Sequence, residues 1–255
     1  MPRRLTMLGS GTSTGIPVVG CGCAVCTSRD PRDRRMRPGL KLELAGGTVV
    51  VDTSPDFREQ ALKFGVESVD AVLYTHSHAD HVFGLDDLRI YNFRQRRAIP
   101  CYGSPQTMRR LRQIFAYVFE EGQEGGGKPK LDLVDIEAPF ELLGETVVPI
   151  PVWHGDMPVY GYRVGGFAVV TDVNRIPEES FALLAGVDTL ILSALRYTPH
   201  ATHFTVEEAI GVAGRIGARR TLLTHIAHEI EHGRPRVALP GGVEFGYDGC
   251  VVDLD

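Results

Sequence analysis

The stretch Thr75-His76-Ser77-His78-Ala79-Asp80-His81 places three imidazoles and one carboxylate within six positions. Such crowding is costly unless a cation offsets the repulsion and the lost hydration, and imidazole with carboxylate suits Zn, Fe or Mn. His76 and His78, two apart, can face one ion across an extended turn. Asp80 and His81, where the chain enters a helix, can face a second. Three more donors stand singly: His154 after the run Thr146–Trp153, Asp172 after Phe167–Thr171, and His225 after Thr221–Thr224. A lone histidine is most often structural, but each of these follows directly on a strand-like apolar run. Ligands gathered at one sheet edge would suit a pair of metals. Asp172 fits the bridging position, because a buried aspartate without a cation is unfavourable.

A second group lies near the start. Cys21, Cys23 and Cys26 supply three thiolates at C-x-C-x-x-C spacing, one short of the four that close a structural zinc site. His228, three residues beyond His225 in Leu223-Thr-His-Ile-Ala-His228, is the best fourth donor. A redox or buried-thiol role for the trio stays open. With Cys101 and Cys250 the chain has five cysteines, an odd number and no disulfide framework, and these two read as packing residues. The preceding Gly9-Ser-Gly-Thr-Ser-Thr-Gly15 lacks the Gly-Lys-Ser/Thr ending of a phosphate loop.

Proton donors for a leaving group are found in Tyr197-Thr-Pro-His200-Ala-Thr-His203-Phe-Thr, ahead of a helix, with His203 preferred and His200 second. Asp52 ends a strand and could orient a ligating histidine through its other ring nitrogen. Asp56 reads as the cap of the helix that follows, and His232 as a surface residue.

These donors need strands that end at one place. Strand-length apolar runs recur at Leu5–Leu8, Leu40–Leu44, Val49–Val51, Ala71–Tyr74, Val147–Val152, Val159–Val164, Phe167–Val170, Thr189–Leu192, Arg220–Leu223 and Val243–Phe245. Helical patterns cover Asp56–Phe64, Pro105–Phe119, Pro177–Ala185 and Thr205–Ile216, the last opened by a Thr205-x-x-Glu208 capping box. Sheet cores with helices outside follow from this order. An Arg-rich insert near 89–130, with Arg89, Arg94, Arg96, Arg97, Arg109, Arg110 and Arg112, resembles a lid. It ends in the Gly- and Glu-rich patch Glu120–Lys130, which reads as an exposed loop.

At 255 residues one domain, 1–255, is expected. No apolar run reaches the ~20 residues that span a bilayer, and the start lacks a signal-peptide core. The expected localisation is cytoplasmic. A net charge of -5 disfavours large nucleic acid as a partner. The expected partner is a small molecule, and a homodimer is compatible with the composition.

The H-x-H-x-D-H motif followed by single His, Asp and His at strand ends resembles the metallo-beta-lactamase superfamily over nearly the whole chain. That resemblance implies an α/β (α+β) fold, a four-layer αββα sandwich with two divalent metals, Zn or Mn, at one sheet edge. It assigns His76, His78 and His154 to one metal and Asp80, His81 and His225 to the other, with Asp172 and a hydroxide between them. More narrowly, GSGTSTGIPVVGCGCAVC, THSHADH, LTHIAH and FGYDG resemble the phosphoribosyl 1,2-cyclic phosphate phosphodiesterase (PhnP-type) group. There the three cysteines and His228 would hold a structural zinc, and His203 would match the catalytic histidine. The implied function is phosphodiesterase action on a small phosphodiester, cyclic ones included, by metal-hydroxide attack on phosphorus, with His203, His200 and Asp80 as catalytic residues. A thioester or lactone hydrolase of the same fold is the alternative, and a non-catalytic carrier or assembly factor a further one.

Overall fold

The computed structural model describes residues 3–120 and 127–254. Two seven-stranded sheets lie face to face. The first contains β1 (Arg3–Gly9), β2 (Gly39–Leu44), β3 (Gly47–Val51), β4 (Ala71–Leu73), β5 (Ile99–Gly103) and β6 (Leu131–Asp135). The second contains β7 (Phe140–Leu142), β8 (Glu145–His154), β9 (Met157–Val164), β10 (Phe167–Val170), β11 (Thr189–Ser193), β12 (Arg220–Thr224) and β13 (Val243–Phe245). The chain then returns to the first sheet as β14 (Val251–Leu254), antiparallel to β1.

Alternation along the strands explains the layers. Leu40, Leu42, Val49, Val51 and Leu73 face the second sheet and meet Tyr162, Phe167, Val169 and Ile191 in one buried cluster. Their neighbours Val50 and Val72 point outward, under Phe57, Leu85, Met108 and Leu111. On the other side Ala168, Val170, Leu190 and Leu192 point outward under Val206, Ala209 and Ala213. Strands buried on both faces read as continuous apolar runs, which is why they were visible without alternation. The outer layers are helical: α1 (Phe57–Phe64), α2 (Ala79–Val82), α3 (Arg89–Gln95), α4 (Pro105–Ile114) and α5 (Ala116–Phe119) belong to the first side, α6 (Glu178–Leu184) and α7 (Val206–Ile216) to the second. This is the four-layer αββα sandwich.

Local signals set the helix ends. Thr205 and Glu208 form a reciprocal capping box at α7, which stops at Gly217 with φ 73°. The single helix expected over Pro105–Phe119 is broken at Phe115 (φ -109°, ψ 41°), whose ring is 8% exposed and meets Phe83 edge-on. Asp56 begins α1 but makes no side-chain cap bond; its carboxylate accepts the Arg37 amide at 2.8 Å instead.

The described part of the insert near 89–130, expected to resemble a lid, contributes to the first sheet and its outer layer. β5 pairs in parallel with β4, β6 pairs with β5, and α4 packs on both, so the segment builds the sheet's edge. Ile99 and Cys101 are fully buried, which holds it there. All seven of its arginines named above are exposed. The glycine-rich patch lies mostly in 121–126, outside the described residues. No described helix is long and apolar enough to cross a membrane.

Candidate metal centre

β3 and β4 run parallel, as do β10, β11 and β12, and β8 shares the direction of β10 through antiparallel β9. Their carboxyl ends therefore open on one edge, where ligands of α/β sheets collect. Asp52 follows β3, His76 follows β4, His154 ends β8, Asp172 follows β10 and His225 follows β12. Three of these leave their strands through left-handed backbone, Asp52 (φ 60°), Asp172 (φ 55°) and His225 (φ 57°). A non-glycine residue there stores about 1–3 kcal/mol, and such strain collects at functional sites. The turn swings each side chain from the strand's flank to the sheet's end.

Seven donors meet there. His76, His78, His154 and Asp172 bring one ligand atom each to within 4.8 Å of one another, and Asp80, His81, Asp172 and His225 do the same. Asp172 belongs to both groups. Its Oδ2 lies 3.6 Å from His76 Nε2 and 3.3 Å from His81 Nε2, and its Oδ1 lies 3.2 Å from His225 Nε2. Asp80 Oδ2 is 3.4 Å from both His81 Nε2 and His225 Nε2. A tetrahedral zinc with bonds near 2.1 Å holds its N and O ligands roughly 3.4 Å apart, so the donor edges fit such an ion. The orphaned atoms agree: His76 Nε2 and His81 Nε2 are buried without a hydrogen-bond partner.

Outer hydrogen bonds aim those atoms. Asp52 Oδ2 accepts from His81 Nδ1 at 2.7 Å and from the Thr75 hydroxyl at 2.8 Å, while Oδ1 accepts the Thr75 amide. With its proton given to Asp52, the Thr75 oxygen accepts from His76 Nδ1 at 3.0 Å. His154 Nδ1 donates to the Thr202 carbonyl at 2.8 Å. In each case Nδ1 is engaged, so Nε2 faces the cluster, the arrangement that fixes ring and tautomer in metal sites. The expected role of Asp52 toward a ligating histidine corresponds to this contact with His81.

The charges are tightly coupled. Burial alone would depress His81, but the carboxylates of Asp172, Asp80 and Asp52 outweigh it and hold the imidazole well above its ordinary value. Burial would raise Asp172 and Asp80; the histidines around them win and keep both well below the carboxylate range. His76, fully buried beside His81, is pushed well down and stays a neutral donor. A divalent cation would take the place of the proton on His81, with the carboxylates already ionised to receive it.

His203 and His200 sit on the loop between β11 and α7. His203 is 8% exposed, its ring stacked 4.7 Å from His225 and edge-on 4.6 Å from His154. Burial and the neighbouring His225 depress its pKa to about 3. His200 lies farther out, exposed, with its ring 5.2 Å from that of His203. His78 is likewise exposed, which marks the cluster's open side.

The cysteine group forms separately. Cys21, Cys23 and Cys26 place their sulfurs 3.4, 3.5 and 3.5 Å from His228 Nδ1. The Cys26 amide donates to Cys23 Sγ and lowers that thiol to about 6, whereas burial lifts Cys26 to about 11. His232, expected at the surface, is half-buried: its amide donates to Asp33 and its ring lies 3.4 Å from the Arg35 guanidinium. Asp33 and Arg35 are buried, and no spacing in the sequence pairs them with a residue two hundred positions away.

Fold and donors together are those of the metallo-beta-lactamase class of metal-dependent hydrolases. The family profile described as beta-lactamase superfamily domain matches residues 48–226, and the chain belongs to that superfamily. Within it the chain is PhnP-like: the crystal structure of a new diphosphatase from the PhnP family matches with a TM-score of 0.92 at 40% identity, covering 99% of this chain and 98% of that one. A relative named octanoyltransferase, from Porphyromonas gingivalis, is 40% identical over 257 residues; this is 99% of the present chain, which spans only about half (52%) of that relative's length. A ribonuclease Z of Mycolicibacterium paratuberculosis is 26% identical over 264 residues, 88% of this chain and 94% of that one.

Proposed function

We propose that the protein is a phosphodiesterase with two divalent ions, Zn or Mn, acting on a small phosphodiester, and that a third ion, zinc, is structural. The observation that carries this reading is Asp172 shared by two donor groups with the buried His203 ring set against ligands of both. His76, His78 and His154 would hold one ion, Asp80, His81 and His225 the other, and Asp172 both. When bound, such a pair supplies Lewis acidity to phosphoryl oxygens and acidifies water near neutral pH.

The chain's own residues do the rest. Asp52 holds His81 in the ligating orientation. His203 is neutral in its buried site without substrate; an anionic phosphodiester set against it would supply the counter-charge that lets it take up a proton from solvent and pass it to the departing alkoxide. His200, more exposed, meets the substrate's outer part. Cys21, Cys23, Cys26 and His228 would hold the structural zinc, tying the N-terminal loop to the segment that carries His225.

The likeness to a diphosphatase extends the substrate class from P–O–C to P–O–P linkages, both of which need an anion bound at the ions, while only the alkoxide leaving group depends on a proton donor. The octanoyltransferase name favours a second reading, acyl transfer or thioester hydrolysis, but half of that relative lies outside the match and can carry the name. Metal analysis beside turnover of bis-p-nitrophenyl phosphate, a ribose 1,2-cyclic phosphate, a nucleoside diphosphate ester and an acyl thioester separates the readings. About three ions per chain with phosphoester turnover supports the proposal. A full metal complement with thioester turnover alone would replace it with the acyl reading.

A further inference from the structure

Three loops meet behind the metal centre, and one side chain fastens them. The loop 194–205, which carries His200 and His203, is closed at its base. Leu195 N–H donates to Phe204 O at 2.9 Å, Val206 N–H to Arg196 O at 3.0 Å, and Phe204 N–H to Val173 O at 2.8 Å. Farther along, just ahead of His203, two carbonyls are taken from outside the loop. Asn174 Nδ2 donates to Ala201 O at 2.9 Å, and His154 Nδ1 to Thr202 O at 2.8 Å. The other end of the Asn174 carboxamide, Oδ1, accepts the Gly155 amide at 2.8 Å.

Asn174 thus joins the turn after His154 to the residue two before His203, and itself stands two after Asp172. Its backbone is held on both sides, with Asn174 N–H donating to Trp153 O and Trp153 N–H to Arg175 O, each at 3.0 Å. The turn and the loop are in close contact. A Cβ at Gly155, where φ is 61°, would come within 2.9 Å of Thr202 Cγ2. The contact needs one donor and one acceptor a fixed distance apart: Gly155 offers N–H and Ala201 offers C=O, so only one orientation of the amide satisfies both. Aspartate could serve Gly155 but not Ala201, and alanine neither.

We propose that Asn174 is the positioning residue that sets His203 against His154 and so fixes where the leaving-group proton is delivered. This rests on the reading of His203 as the proton donor. It touches no reacting atom; it works through Ala201, Thr202 and Gly155.

The test uses leaving-group dependence, which a purely structural role would not change. Metal-loaded wild type, Asn174→Ala, Asn174→Asp and His203→Ala are compared on two phosphodiesters that differ only in the departing group, p-nitrophenolate or an alkoxide. The alkoxide must be protonated as it leaves and the nitrophenolate need not be. His203→Ala should lose about 10²-fold or more in kcat on the alkoxide and only a few-fold on the nitrophenolate. Asn174→Ala should show the same selectivity in smaller measure, about tenfold on the alkoxide, with metal content unchanged. Asn174→Asp, which keeps the Gly155 contact and serves as the second variant if the alanine folds poorly, should behave alike. Equal losses on both substrates, lowered metal content, or wild-type rates in the Asn174 variants while His203→Ala stays selective would overturn the inference alone. If His203→Ala itself shows no selectivity, the proton-donor reading falls and this inference with it.

Discussion

The two donor clusters, three residues apart in sequence at His225 and His228, are built in opposite ways. The central one draws seven side chains from the ends of four strands in both sheets, uses left-handed backbone at Asp172 and His225, and is backed by Asp52, Thr75 and the Thr202 carbonyl. The cysteine one takes three of its four donors from a single six-residue loop, and two of those, Cys21 and Cys23, are only half-buried. Short-range donors need little scaffolding, whereas donors brought from distant strands need their partners held in place. The central cluster should therefore govern turnover, and the peripheral one the folding of the N-terminal loop.

The largest separation comes from Asp172→Ala. It removes the one donor common to both central groups, so activity should fall by about 10³-fold or more while about one ion per chain stays on the cysteines. Enzyme assay with elemental analysis reads both; loss of all ions would mean that the two clusters are not independent. Asp52→Asn should follow, with a 10- to 100-fold loss in metal affinity or rate, since His81 keeps its place but loses its charged partner. Metal titration checks it, and an unchanged affinity would show that the backbone alone places His81.

Cys23→Ser reverses the balance. The melting temperature should drop by several degrees, on the scale of ~2–4 °C per kcal/mol for a chain of this size, while kcat of the folded fraction stays within about twofold. Thermal unfolding beside kinetics decides it, and a large kcat loss at constant Tm would mean that the cysteine group serves turnover and not the folding of its loop.

The smallest effect concerns His232, beside Arg35 and Asp33. Burial, then the Arg35 charge, lower its pKa to about 4. An unfolded histidine takes its proton near 6.5, so between those values the unfolded chain binds more protons. Stability from this group is complete above about pH 6.5 and is lost as the pH falls toward 4. The ring is about half-exposed, so the slope is modest. His232→Asn should flatten denaturation midpoints over that window, with turnover near neutral pH unchanged.

Much of this was legible in one dimension. Ten strand segments were placed within two residues at either end, because buried strands leave unbroken apolar runs. β5, β6, β7 and β14 were missed: β5 contains Pro100, β6 alternates with aspartates at an edge and is only partly buried, and β7 and β14 are three and four residues long. Such strands are defined by the neighbour they pair with. The arginines of 89–112 suggested a cover for the site, but Ile99 and Cys101 draw the segment into the sheet.

The sequence by itself determined which residues could bind metal, because H-x-H-x-D-H and C-x-C-x-x-C crowd donors at distances that chain geometry alone keeps short. It also placed His154, Asp172 and His225 at strand ends, where side chains can gather. Which ligand atoms lie within 4.8 Å of one another, which hydrogen bonds aim them, and why Asn174 can tie His154 to His203 were decided only by the tertiary structure. Those relations depend on two sheets opening their carboxyl ends onto one edge, and on hydrogen bonds between residues 19 to 48 positions apart. No local spacing encodes a contact of that range.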